Sequence, residues 1–410
     1  MHRYLFVLLS FVHVLADPDF AKLDGAPPSK IAVVGAGIGG TATAHFLRQH
    51  FGPEVRIDVF EKGSVGGRLA TVTVNQQDYE SGGSIIHSLN LHMQDFVQQL
   101  GLKYRKSVAG KTAVFNGEEK KVVFAHEATR RKESSELSLN KKYSAVSLAG
   151  AQANLWAVEG GNKLVCSGLL KLARANLIQS PVTTVTLRST GDYHQYELTY
   201  DSQNEKSSEL YDIVVVATPL QQNINSGISF QGFEPQLPDI SGSYHQTVAS
   251  IIHGYLNCTY FGFPDPKLFP FSSILTTDTQ GLFFNSAASV CPVNISSGFR
   301  RKQPQEAGVY KVFSPKPLEK TELKTLFKSY YSVQVTDWLA YPHYGSTQGL
   351  PPVVLHENVY FLNGIEWAGS AMEMSSVAAK NIALLAYHRW NRQLEMIDQK
   401  DLMHKVKTEL

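Results

Sequence analysis

Gly35, Gly37 and Gly40 stand at G-x-G-x-x-G spacing directly after the apolar run Lys30 to Val34. In that pattern the first glycine permits a tight turn and the second lets a pyrophosphate approach the backbone. The third lets helix and strand pack closely. The helix that follows would turn its N–H groups and the positive end of its dipole toward the phosphates. Glu61 ends a second apolar run, Val55 to Phe60, about 20 residues past the last glycine, where an acidic side chain binds ribose hydroxyls. The chemistry is that of holding a dinucleotide. A Gly-rich turn in another kind of α/β protein is the plainer reading, and the strand, helix and acid in place together argue against it. No Ser-His-Asp or Cys-His arrangement has supporting context, and the histidines lack metal-ligand spacing, so no metal is expected.

The elements that must position these residues are legible along the chain. Ala42 to Phe51 continues the first helix, and Gly52-Pro53 stops it. Two further glycine pairs follow, in Gly66-Gly67-Arg68 and Gly82-Gly83-Ser84. Leu91 to Leu100 has near-helical apolar spacing, with Gly101 as C-cap. Leu164 to Leu177 can form a helix. Val182 to Leu187 and Tyr196 to Tyr200 read as strands joined by a turn at Gly191-Asp192. Asp212 to Pro219 is a short continuous apolar run ending in a turn, a pattern suited to a buried parallel strand. From Gln221 to Leu350 the chain is richer in aromatics, Ser and Pro, and predicts a mostly β domain with one helix, Thr321 to Tyr330. A strand at Asn358 to Leu362 and a helix at Ser375 to Trp390 follow.

The 410 residues suggest about two or three domains. With 43% hydrophobic and 18% charged residues the chain is globular, and a net charge of +2 offers no polyanion partner, so nucleic acid is excluded. His2-Arg3, the apolar stretch Tyr4 to Leu15 and Val14-Leu15-Ala16 form a secretory signal pattern cleaved before Asp17. No later segment is long and apolar enough to span a bilayer. Sequons at Asn257 and Asn294 agree with a secretory route. Three cysteines (Cys166, Cys258, Cys291) do not make a disulfide framework. One bridge at most is expected, with Cys258–Cys291 the candidate pair. The terminal Lys407-Thr408-Glu409-Leu410 is close to a retention tetrapeptide, but Thr408 replaces the acidic residue.

Gly66-Gly67-Arg68 after the dinucleotide fold and Ala217-Thr218-Pro219 after a buried strand resemble the flavin amine-oxidase-like superfamily. Over most of its length the chain resembles the prenylcysteine oxidase family more closely. The runs Ile31 to Gly40, Gly66 to Thr71, Leu89 to Met93, Trp156 to Leu170, Tyr211 to Leu220, Trp338 to Tyr344, Leu362 to Glu366, Ala371 to Ser375 and Tyr387 to Asn391 carry the likeness. Tyr260 to Phe271 and Asp401 to Leu410 point to its prenylcysteine oxidase-like branch. The resemblance implies an α/β fold: a Rossmann-type FAD-binding domain with a second, β-rich substrate domain. It implies noncovalent FAD, with Gly35, Gly37 and Gly40 framing the pyrophosphate and Glu61 at the adenosine ribose. Gly67 and Arg68 would sit near the phosphates, Gly83 and Ser84 against the isoalloxazine ring, and Val185 at the adenine through its backbone. Glu366 and Met374 would lie where the last helix points its N-terminus at the flavin.

The implied reaction is oxidative cleavage of a prenylcysteine thioether. Hydride leaves the carbon next to sulfur for the flavin and water traps the cation. Cysteine and a prenyl aldehyde result, and dioxygen reoxidises the flavin to give hydrogen peroxide. Tyr255 to Phe284 is a candidate wall for the prenyl chain; ordinary core is the competing reading. No catalytic base is assigned. His87 and His343 are the histidines to test, and each also reads as a structural hydrogen-bonding residue. The expected localisation is secreted or lysosomal, with peripheral membrane contact open.

The polar stretch Ala125 to Tyr143 stands where the family carries a long, aromatic-rich, mostly helical segment. That departure keeps a second class of function open: a catalytically silent flavoprotein or interaction protein that retains the fold. The expected organisation is a signal peptide over 1–16 and FAD-binding parts over 17–124, 155–220 and 355–392. A polar linker over 125–154, a substrate domain over 221–354 and a tail over 393–410 complete it.

Overall fold

The computed structural model of the chain describes residues 26–106, 108, 110–117, 122–127, 154–190, 193–202, 205–220, 227–240, 242–277, 281–344 and 350–397. The expected signal segment, most of the expected linker and the C-terminal tetrapeptide lie outside them. Two compact units divide the chain. The first comprises residues 1–65, 166–243 and 344–410, and the second residues 66–165 and 244–343.

The first unit is built on a six-stranded sheet. Its order is Val354–His356, Val359–Phe361, Ile213–Val216, Lys30–Val34, Arg56–Phe60 and Asn176–Ile178. Ile31, Ala32, Val33, Val214 and Val215 are fully buried. Such unbroken apolar runs are what a parallel strand covered on both faces requires. Lys30–Val34 is parallel to both neighbours, with Val34 level with Val216 on one side and Phe60 on the other. The chain leaves this central strand toward one side and later returns on the other, so a switch point lies at its carboxyl end. The helices Ile38–Phe51 and Met372–Trp390 pack on each other. A four-stranded sheet, Glu205–Tyr211, Tyr193–Ser202, Val182–Thr190 and Ser229–Gln231, completes the unit.

The second unit holds a seven-stranded sheet of order Phe327–Pro342, Tyr244–Leu256, Gly308–Ser314, Ser286–Ser289, Phe271–Thr276, Lys111–Phe115 and Val122–Glu127. A hairpin, Thr71–Val74 with Gln77–Glu80, and the helix Leu91–Gln99 accompany it. The combination of a Rossmann-type sheet with a β-rich second unit agrees with the α/β expectation.

Several expectations are corrected. The helix from residue 163 ends at Leu172, not Leu177. Arg174 takes φ 47, and Asn176–Ile178 joins the sheet in parallel with Asp58–Phe60, so sheet pairing overrides the helical pattern. The helix expected to reach Tyr330 stops at Leu326. It starts with a reciprocal cap between Glu319 and Glu322, and from Phe327 the aromatic, β-branched run pairs with Tyr244–Leu256. Ala125, His126 and Glu127, expected in the linker, form strand with Lys111–Ala113.

The unit boundaries also differ from those expected. Residues 66–124 and 155–165 group with the second unit, and 221–243 and 344–354 with the first. The cause is pairing remote in sequence: Lys111–Phe115 lies parallel to Phe271–Thr276, and Ser229–Gln231 lies parallel to Thr184–Thr186. Cys166, Cys258 and Cys291 are all free, so the expected Cys258–Cys291 bridge is absent. Cys258 is sealed in an apolar cluster with Phe261, Phe269 and Phe284. Those three rings, part of the candidate prenyl wall, are at most 4% exposed and form core.

Candidate dinucleotide and flavin site

The Gly-rich turn lies at the carboxyl end of the central strand of the first unit. Gly35 adopts φ +111 and its N–H donates to Phe60 O over 2.7 Å. A Cβ there would lie 2.7 Å from Ala217 O, and one on Gly40 would lie 1.8 Å from Gly35 O. Both glycines are therefore dictated by backbone approach. Gly37 is the N-cap of Ile38–Phe51. That helix has no side-chain cap and no acidic residue in its first turn, which leaves its positive dipole end for an anion.

Glu61 is 9% exposed and binds the turn from below. Its Oε2 accepts the Ala36 N–H over 2.8 Å, and its Oε1 accepts the Gly63 N–H over 2.7 Å. Each carboxylate oxygen keeps acceptor capacity for a ribose hydroxyl. The same side chain thus orders the Gly-rich turn from both of its oxygens.

Elsewhere in this unit Val185 is buried on Val182–Thr190, opposite Leu198. Glu366 is 1% exposed and accepts Asn363 Nδ2–H over 2.8 Å. Asn363 Oδ1 is buried with no hydrogen-bond partner. A buried acceptor in that state is costly unless a donor meets it. Asn363 was not singled out from the sequence, although it sits inside the family-like run Leu362 to Glu366. Met374 lies half-buried in the first turn of the last helix, where Glu373 already supplies negative charge. The cradle only glycine can line, the carboxylate beneath it and the orphaned Asn363 acceptor fit FAD.

In the second unit Gly66 and Gly67 take φ +117 and +54 and turn the chain into Arg68. Arg68 Nη1 donates to Ala340 O over 2.7 Å, and Arg68 O accepts the Gly83 N–H over 2.9 Å. A Cβ on Gly82 would lie 1.9 Å from Arg68 O. The two glycine pairs, distant in sequence, are therefore one structure, and Ser84 follows it half-buried.

The two test histidines are not brought together. His87 Nδ1 accepts the Leu89 N–H over 3.1 Å, a local structural role. His343 is exposed, and its ring lies tilted by 36° against that of His245 with centroids 3.5 Å apart. Burial first, and then His343, hold the His245 imidazole below its ordinary pKa. Among the described residues no cluster of His, Cys, Asp and Glu could hold a metal ion.

Comparison with known proteins gives these arrangements a context. The prenylcysteine lyase family matches residues 113–399, and an NAD(P)-binding Rossmann-like domain matches residues 33–100. Human prenylcysteine oxidase 1-like is 50% identical over 472 aligned positions, covering 94% of this chain and 95% of that protein. Bovine prenylcysteine oxidase 1 is 39% identical over 476 positions, covering 94% and 93%. These alignments are longer than the 410 residues of the chain, so the relatives contain residues with no counterpart here.

Among solved structures, cyclohexylamine oxidase from Brevibacterium oxydans superposes with a TM-score of 0.59 at 14% identity, covering 88% of this chain and 99% of that one. A putative protoporphyrinogen oxidase from Exiguobacterium gives 0.59 at 12% identity, covering 88% and 98%. Both share the fold. Identity near one half across almost the whole sequence, together with the match over residues 113–399, carries more than likeness of fold: the chain belongs to the prenylcysteine lyase family.

Proposed function

We propose that this chain is an FAD-dependent oxidoreductase that cleaves the thioether of farnesyl- or geranylgeranylcysteine. One observation carries the reading: the Ala36–Glu61 hydrogen bond that sets the phosphate turn, in a chain 50% identical to a prenylcysteine oxidase 1-like protein. Bound FAD supplies a hydride acceptor that dioxygen can reoxidise with release of hydrogen peroxide. Gly35, Gly37 and Gly40 would hold the pyrophosphate and Glu61 the ribose. Val185 would meet the adenine end. We assign Gly67 and Arg68 to the phosphates, Gly83 and Ser84 to the isoalloxazine ring, and Glu366 and Met374 to the place where the last helix would point its N-terminus at the flavin. Water and dioxygen complete the reaction, which gives free cysteine, a prenyl aldehyde and peroxide. No side chain is assigned as base, because hydride transfer does not demand one.

A second reading is favoured by one observation, the relatives' residues that are missing here. It is a flavoprotein without turnover that retains the fold. Purified protein mixed with FAD and desalted decides between them. Retained flavin absorbance with peroxide release from farnesylcysteine supports the oxidase. Yellow protein without peroxide supports the silent flavoprotein, and colourless folded protein sinks both.

We also propose a secretory route, from the signal pattern over residues 1–16, to a secreted or lysosomal destination. The two sequons then differ. Asn294 is exposed, whereas Asn257 Nδ2 donates to Thr325 O over 2.9 Å. Expression in mammalian cells should give a glycosidase-sensitive mass shift that Asn294→Gln removes and Asn257→Gln does not. Among the described residues no helix is long and apolar enough to cross a membrane.

A further inference from the structure

Lys311 is the one lysine among the buried polar groups of the described residues, at 4% exposure. Its Nζ donates to Gly82 O over 2.9 Å and lies 4.6 Å from the centroid of the Phe313 ring. Two other side chains secure the same short segment. Asn162 Nδ2 donates to Gly83 O over 3.0 Å, and Trp338 Nε1 donates to Ser81 O over 3.1 Å. Arg68 enters through its backbone oxygen, on the Gly83 N–H. Asn162 is itself held by Glu80, whose Oε1 accepts the Asn162 N–H over 2.7 Å. Glu80 is 4% exposed, and its Oε2 is buried with no hydrogen-bond partner.

An uncharged donor could hold Gly82 O at much lower cost, since burying an ammonium carries a large desolvation penalty. The positive charge therefore calls for an explanation. The half-satisfied Glu80 carboxylate supplies a nearby opposite charge without a direct ion pair in the structure. Arg105 and Lys163 are the other charged groups that act on this pair.

We propose that Lys311 is a positioning residue for flavin chemistry: its ammonium fixes the Ser81–Gly82–Gly83 backbone and places one buried positive charge beneath the segment assigned to the flavin ring. This rests on the assignment of Gly83 and Ser84 to FAD. A fixed positive charge close to the ring favours electron density arriving on it. Burial brings the Lys311 ammonium down to about 8, with Glu80 opposing and Arg105 reinforcing the shift, so its charge is lost in mildly alkaline solution.

The test uses the full chain reconstituted with FAD, with flavin absorbance followed from about pH 6 to pH 10. Wild type is expected to show a spectral shift with a midpoint close to the Lys311 value, and Lys311→Met to show none. With farnesylcysteine, Lys311→Met should lower kcat by about tenfold and change KM by less than about threefold. Glu80→Gln keeps the lysine but removes its opposing charge, and should move the spectral midpoint to lower pH. It decides the matter if Lys311→Met does not fold. An FAD-loaded Lys311→Met protein that keeps the spectral shift overturns the proposal, as does an unmoved midpoint in Glu80→Gln. Wild-type protein that takes up no FAD overturns the cofactor reading itself. FAD uptake without turnover leaves the spectral arm to decide alone.

Discussion

The backbone N–H of Ala36 donates to Oε2 of Glu61 over 2.8 Å, joining the turn after one parallel strand to the end of the next. The second oxygen of the carboxylate takes the Gly63 N–H. One residue therefore ties together both sides of the turn, and in the proposed reading it would also meet the ribose. Glu61→Ala would leave the Ala36 N–H buried and unpaired, at a cost of about 2 kcal/mol. FAD affinity should fall by more than about tenfold, and Glu61→Gln, which keeps one acceptor, should lie between. Fluorescence titration of the apoprotein with FAD reads both, and equal affinities across the three proteins would refute the role.

Gly40 and Gly39 are adjacent and buried, yet they should respond differently to substitution. The Cβ of Gly40→Ala meets Gly35 O, a backbone atom that sits within the phosphate turn. That of Gly39→Ala meets Leu362 Cδ2 at 2.6 Å, the end of a flexible side chain. Gly40→Ala is expected to lose FAD retention and about 3 kcal/mol of stability, and Gly39→Ala about 1 kcal/mol. Denaturant melts with flavin release as second probe check the order, and a reversed order would contradict the geometry.

His50 gives the first unit a defined acid sensitivity. Burial, then His388 and Lys380, bring its pKa down to about 4, and its ring lies 5.5 Å from that of Tyr387. Between that value and the unfolded value of 6.5 the unfolded chain binds the extra proton. Stability therefore rises with pH across this window and falls as pH drops through it, by up to about 3 kcal/mol. His50→Phe should flatten the dependence of the melting midpoint between these limits. An unchanged slope would remove His50 as its source.

The cysteines should behave as three unlinked thiols of unequal reach. Burial pushes the Cys166 thiol up to about 12 and that of Cys258 up to about 11, and both are fully buried. Cys291 is half-buried. A thiol reagent at neutral pH should label Cys291 first, with Cys166 and Cys258 reacting after unfolding. Mass spectrometry without reductant should find no Cys258–Cys291 link, and finding one would contradict the free thiols.

Much of the first unit was legible because its signals are local. Ile31 to Val34, Gly35 and Gly40 are neighbours in sequence as well as in space, and Glu61 follows one crossover later. The run Asp212 to Pro219 declared a buried strand by unbroken hydrophobicity. Where a remote strand offered better hydrogen bonding, local patterns misled: Asn176–Ile178 left its helical run to pair with Asp58–Phe60, and Phe327 onward left its helix to pair with Tyr244–Leu256. Asn363 carried no signal of its own, since an asparagine is conspicuous only once burial strips it of water.

By itself the sequence determined the dinucleotide turn, its acidic partner and the family, because steric demands on Gly35 and Gly40 and a single crossover act over short stretches of chain. Only the tertiary structure decided that residues 66–124 join the β-rich unit, that Cys258 and Cys291 stay apart, and that Glu80, Asn162 and Lys311 converge on Gly82 and Gly83. The physical reason is that a buried charge or an unpaired carbonyl is satisfied by whichever group the packing brings within hydrogen-bond distance, and separation along the chain has no part in that choice.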